Sequence, residues 1–119
     1  MKGTEKQVKW AKELQKQAIN KNKEALKVWE QVWGVSEKEY NKLSMEEPEL
    51  VFEADKIFRD LIFEGIVNED MDDKEIFEKG KKALEEEIVK LEKESEAKKW
   101  IDSRFDINSK RKVFFWPYK

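Results

Sequence analysis

Asn68, Asp70 and Asp72 place three oxygen-bearing side chains at alternate positions, the strongest invitation to chemistry in this chain. Alternating carboxylate and amide oxygens open the loops that hold calcium. In that register the sixth position needs Gly for a sharp turn, and the twelfth needs a Glu that grips the ion with both oxygens. Those positions are Asp73 and Lys79 here. The spacing therefore favours a plain acidic loop in which Asp72 or Asp73 caps the next helix, and neither a metal nor a cofactor is assigned. Catalytic chemistry has few other footholds. The 119 residues hold no histidine and no cysteine, which removes the commonest general base, the commonest metal ligands and the thiol nucleophile. No glycine-rich loop cradles a phosphate. Carboxylate pairs abound, but none is flanked by the apolar residues that would wall a pocket. The expectation is a protein that works by presenting surfaces and is not an enzyme.

Two kinds of surface stand out. The first is basic and aromatic: Lys99, Arg104, Lys110, Arg111 and Lys112 interleave with Trp100, Phe114, Phe115 and Trp116. Such a mixture grips phosphates and stacks bases. It equally describes a tail, 106–119, that folds back and buries its rings or docks on a partner protein, because Phe-Phe-Trp-Pro-Tyr is too apolar to stay in water. A sequence pI near 5.5 argues against nucleic acid as the main ligand. The second surface is acidic. Residues 35–78 carry fifteen acidic against five basic side chains, a net of −10, between flanks of +4 each. Glu46, Glu47, Glu49, Glu53, Asp55 and Asp60 form the candidate face for a basic partner. The leading expectation is nevertheless that the acidic and basic blocks compensate each other within the fold.

The elements that would carry these surfaces are helices. Charged residues make up 44% of the chain, yet five Trp and seven Phe disfavour disorder, and four Gly with two Pro leave few breakers. One domain, 1–119, is expected. Thr4 with Gln7 forms a capping box, and Val8, Ala11, Leu14, Ala18, Ala25, Trp29 and Val32 follow at helical spacing, giving a first helix from about 5 to 33. Ala11, Ala18 and Ala25 let another helix come close, and Gly34 fits the residue just past the end. Ser36 with Glu39 caps a short second element ending near Leu43, with Val35 and Tyr40 as its hydrophobic staple. Ser44 starts a third helix, with Pro48 in its first turn, and the stripe Leu50, Val51, Ala54, Ile57, Phe58, Leu61 and Ile62 runs on to an end near Gly65. Phe52 and Phe63 lie off that stripe and are either covered or offered to a partner. A last helix from about 73 to 104 would span about 48 Å, with Gly80 in its stripe and a polar stretch at 92–96. The predicted architecture is all-α: a single-domain bundle of about four helices, the long first and last packed antiparallel and the third in their groove.

No window approaches the roughly 18 continuous apolar residues of a membrane span. The N-terminus has no apolar stretch like that of a secretory signal, and the lack of cysteine makes the cytoplasm the default compartment.

Two segments carry a resemblance. Thr4-Glu5-Lys6-Gln7-Val8-Lys9-Trp10-Ala11 resembles the T-E-K-Q-x-x-W-A opening of small proteins encoded by phages and other mobile elements. Ala97-Lys98-Lys99-Trp100-Ile101-Asp102-Ser103-Arg104 resembles the A-K-x-W-I-D-x-R segment that closes many of them. The resemblance implies a small accessory protein that inhibits a host defence complex, such as a CRISPR nuclease, by binding it. It implies no catalytic residue. The residues themselves admit a structural clamp, in which Trp10 meets Trp100 and Asp102 or Arg104 bonds Lys6 or Gln7. The clamp is the expected role; the second reading is a shared ligand or nucleic-acid site, with Trp100, Asp102 and Arg104 as partner-binding residues. The runner-up function is a nucleic-acid-binding accessory protein that uses Lys110, Arg111, Lys112, Phe115 and Trp116, and a homodimer is the third reading.

Overall fold

In the computed structural model, which describes residues 1–118, every regular element is a helix. Lys119, the end of the tail, lies outside the described residues. The elements are α1 (Glu5–Trp33), α2 (Glu37–Glu46), α3 (Pro48–Phe63), α4 (Asp73–Lys93), α5 (Ala97–Asp102) and α6 (Arg104–Ile107). Residues 109–118 follow as a strap without regular structure.

Local signals set most of the helix ends. Both halves of the Thr4–Gln7 capping box form: Gln7 N–H donates to Thr4 Oγ1 and Thr4 N–H donates to Gln7 Oε1. Ser36 accepts from Glu39 N–H, and Asp72 accepts from Glu75 N–H. Pro48 opens α3, where its missing N–H costs nothing. Ser44 does not start that helix, because α2 continues to Glu46 and the Ser44 hydroxyl donates back to the Tyr40 carbonyl. Gly65 takes φ 75°, a left-handed turn that suits glycine. Gly34 has an ordinary φ of −87°. It is needed for space instead, since a Cβ there would sit 3.0 Å from the Phe77 ring.

The expected last helix, 73–104, is three helices. The chain leaves helical geometry at Glu94, where ψ is 127°, and the cause is tertiary. Lys2 bridges the gap by donating to Ser95 O and accepting from Ala97 N–H. The Gln15 side chain collects the freed carbonyls of Leu91 and Glu94, and the Trp100 indole N–H also points to Glu94 O. The polar residues at 92–96 thus mark a break rather than a helix projecting from the core.

The core has two parts joined along α1. One gathers Ala25, Trp29 and Val32 with Ala54, Ile57 and Leu61 of α3, Ile76 and Leu84 of α4, and Val113. The other gathers Ala11, Leu14 and Ala18 with Leu91, Ala97, Trp100, Ile107, Phe114 and Trp116. Along α4, Leu91 meets Gln15 while Gly80 and Phe77 meet Trp29. A Cβ on Gly80 would lie 2.7 Å from the Trp29 indole, so glycine is what lets that ring lie flat on α4. Its Nε1–H then reaches Phe77 O at 3.0 Å.

Candidate functional site

The strap decides which surfaces remain available. Three of its backbone N–H groups, two residues apart, are each received by a different helix. Lys112 donates to Asp60 of α3 at 2.9 Å, Phe114 to Asn22 Oδ1 of α1 at 2.8 Å, and Trp116 to Glu87 of α4 at 3.1 Å. Asn22 also donates its amide to Phe114 O at 2.7 Å, so one buried side chain satisfies both backbone groups as a neighbouring strand would. Glu87 is buried, and the desolvation raises its carboxyl above the usual range against the opposing pull of the Trp116 N–H. Lys21 lies beneath the strap and donates to the carbonyls of Ile107 and Ser109. Burial lowers its pKa; Asp60 opposes that, and Arg111 and Lys112 add to it.

These contacts reassign several candidate residues. Trp100 is fully buried, with the Trp116 ring 4.5 Å and the Phe114 ring 6.3 Å away. Trp116 is buried as well, and Phe115 is half-buried against the core. Trp100 and Trp116 therefore offer no platform to a base or a partner while the strap is seated. Among the basic residues of the tail, Arg111 pairs with Asp60 and Glu64, and Lys112 pairs with Glu53. A groove of about 640 Å³ beside the strap is lined by Lys21, Lys56, Lys110, Arg111 and Lys112. Arg111 and Lys112 are answered by these carboxylates, and Lys21 by the Ile107 and Ser109 carbonyls, while Glu24 and Glu53 also line the groove. Asp60 and Glu53 of the acidic face are thus spent inside the chain, and Asp55 pairs with Arg59. The blocks of opposite charge do compensate each other here.

The clamp expected between Trp10 and Trp100 does not form. Trp10 is 48% exposed, whereas Trp100 is in the core. Gln7 is engaged with Thr4 rather than with Asp102 or Arg104, and Asp102 is exposed. The two familiar segments nevertheless meet. Lys2 bonds across to Ala97, and the Arg104 guanidinium lies 5.7 Å from the Trp10 ring and 4.5 Å from the Phe105 ring. Phe105, which the sequence reading passed over, is 75% exposed. That these two chain ends meet is expected from the sequence, but Phe105 lies beyond the helix predicted over 73–104 and follows the turn at Ser103 between α5 and α6.

Of the six-residue candidate acidic face, the α2–α3 corner stays open. Glu46, Glu47 and Glu49 are exposed and form no ion pair among the described residues. They line a depression of about 480 Å³ with Pro48, Leu50 and Glu53. Met45 stands beside them, 85% exposed, and Phe52 one turn on is 56% exposed. Phe52 also borders a groove of about 310 Å³ with Trp33, Tyr40 and Val51. Phe63 is exposed too, under the Arg111 guanidinium. Phe52 and Phe63 are therefore exposed rather than covered by a second helix, each with a cation over its ring, Lys56 and Arg111.

Among the described residues no group of acidic side chains is arranged to hold a metal ion, and no helix is long and apolar enough to cross a membrane. Asn68 instead accepts the Asp70 N–H in a local turn. Comparison of the chain with protein-family models, curated proteins and solved structures yields no match.

Proposed function

We propose that the chain is a non-enzymatic inhibitor that binds a host defence protein complex, a CRISPR nuclease or another anti-invader machine, in the cytoplasm of the cell a phage or mobile element has entered. The link to phages and defence comes from the two familiar segments. Support for binding comes from the α2–α3 corner, where Met45 and Phe52 stand in water beside three unpaired glutamates. Large apolar side chains on a rim of one charge are the composition of a protein-docking surface. The carboxylates would steer a basic partner and the apolar side chains would hold it. The rival reading, a strand of nucleic acid on the tail, loses its stacking residues to the core.

The test is protection in the cell. Expressed in a strain with active nuclease-based immunity, the chain should restore infection by a targeted phage. Met45→Asp with Phe52→Asp should abolish that protection while leaving the melting temperature unchanged, because neither side chain supports the core. Restored infection by the double variant would remove this corner from the mechanism.

A further inference from the structure

The chain has three arginines. Arg59 pairs with Asp55, and Arg111 pairs with Asp60 and Glu64. Arg104 differs: among the described residues no carboxylate lies within ion-pair distance of it. Its Nη1 donates to Ile101 O at 2.8 Å. A guanidinium has five N–H donors in a rigid fork, and the cation–π contacts to Trp10 and Phe105 leave most of them free.

The setting is prepared in advance. Trp10 sits on α1 behind a complete capping box. Arg104 opens α6, whose Ile107 is anchored in the core. Lys2 ties the start of the chain to the break before α5. Arg104 is only half-exposed, so a carboxylate meeting it would be screened less than one at an open surface. Rings of this size left 48% and 75% exposed around such a cation have the makeup of a binding hot spot.

We propose that Trp10, Arg104 and Phe105 form a docking site for an acidic, apolar segment of a partner protein. The guanidinium fork takes an Asp or Glu carboxylate through two parallel hydrogen bonds, and the two rings take the neighbouring apolar side chain. The planar guanidinium fork matches a carboxylate, and the guanidinium already covers one face of each ring, which narrows the room for a stacked base. A second copy of this chain would bring its own Glu46, Glu47 and Glu49. That contact would join two different patches and would show as self-association, which light scattering reads; the occupant proposed is a different protein. The site lies near the start of α1, far from the α2–α3 corner beyond its end, and does not depend on the reading of that corner.

The test uses the full chain on an array of short random peptides at physiological salt. Bound peptides should be enriched in Asp or Glu next to a large apolar residue. Changing that acid to its amide should weaken binding about tenfold, or about 1.4 kcal/mol. Arg104→Gln should do the same, and Arg104→Lys should recover little, since a lysine lacks the planar fork. Phe105→Ala, at an exposed position, should also weaken binding while leaving the melting temperature alone. Binders without acids, or equal binding by Arg104→Gln, would overturn the proposal. Tighter binding to oligothymidylate than to any peptide would reassign the site to nucleic acid and overturn it too. So would a mass that climbs with concentration in light scattering and falls back in Arg104→Gln, because the occupant would then be another copy.

Discussion

Gly80 and Glu87 show how far single residues depend on neighbours that sequence spacing does not reveal. Glycine within a helix ordinarily costs about 1 kcal/mol relative to alanine, so Gly80→Ala would stabilise an exposed helix. Here the added methyl would overlap the Trp29 indole at 2.7 Å. The substitution is expected to destabilise, by about 1–3 kcal/mol as for other overpacked sites, and a urea titration measures it. The helical stripe placed Gly80 on the inner face, but the ring it accommodates lies 51 positions away in sequence. Glu87 sits among Glu85, Glu86 and Lys90 in sequence and is nonetheless buried. Its raised carboxyl pKa means that the folded chain holds a proton more tightly than the unfolded one. The contribution of Glu87 to stability is then greatest below the ordinary carboxylate range and falls as pH rises through the raised value. Glu87→Gln keeps an oxygen for the Trp116 N–H and removes the buried charge. Its melting temperature at neutral pH should exceed that of the wild type, and the decline with pH should flatten. A variant that melts lower at neutral pH would mean that the charge itself holds the strap.

Among the elements, the helices were legible where the determinants are local and hidden where they are not. Thr4, Ser36, Pro48, Gly65 and Asp72 act within a few residues of themselves, and the ends they mark are close to those observed. The break at 94–96 depends on Lys2 and Gln15, residues brought from the other end of the chain, so the stretch read as continuous helix. The strap was legible in composition alone: its aromatic run had to be covered, and Val113, Phe114 and Trp116 are. Its pairing with Asp60, Asn22 and Glu87 leaves no trace in periodicity. Asn22 even falls within the alanine stripe, between Ala18 and Ala25, where an apolar residue would be expected. The alternating pairing has a direct signature. In amide exchange followed by NMR, the N–H groups of Lys112, Phe114 and Trp116 should be protected and those of Val113 and Phe115 should exchange faster. Asn22→Ala leaves the buried N–H and C=O of Phe114 unpaired, at about 1–3 kcal/mol each, and should erase protection along the whole strap. Uniform exchange from 112 to 116 in the wild type would show that the strap is not laced in this way.

The whole molecule measures 53 × 27 × 19 Å, and α1 runs through both parts of its core. Two basic side chains of the strap, Arg111 and Lys112, are consumed by Glu53, Asp60 and Glu64 where the strap meets α3. Among the described residues the charge left without an ion pair includes Glu46, Glu47 and Glu49 at the α2–α3 corner, the lysines along α1, and the Arg104 guanidinium near the start of α1. The acidic block was legible as a block, but which of its members remain free depends on where the strap lies. Glu53, Asp55 and Asp60 are engaged, and Glu46, Glu47 and Glu49 are not. The central claim is that this corner holds a host protein. It is tested most directly by capturing partners from host lysate on the tagged chain, cross-linking, and mapping the linked peptides by mass spectrometry, in parallel with a variant carrying Glu46→Lys, Glu47→Lys and Glu49→Lys. The expected result is one host defence complex, cross-linked through lysines near 42–56 and lost with the variant, whose melting curve is unchanged. Capture of nucleic acid alone, or the same complex held equally by the variant, would contradict it.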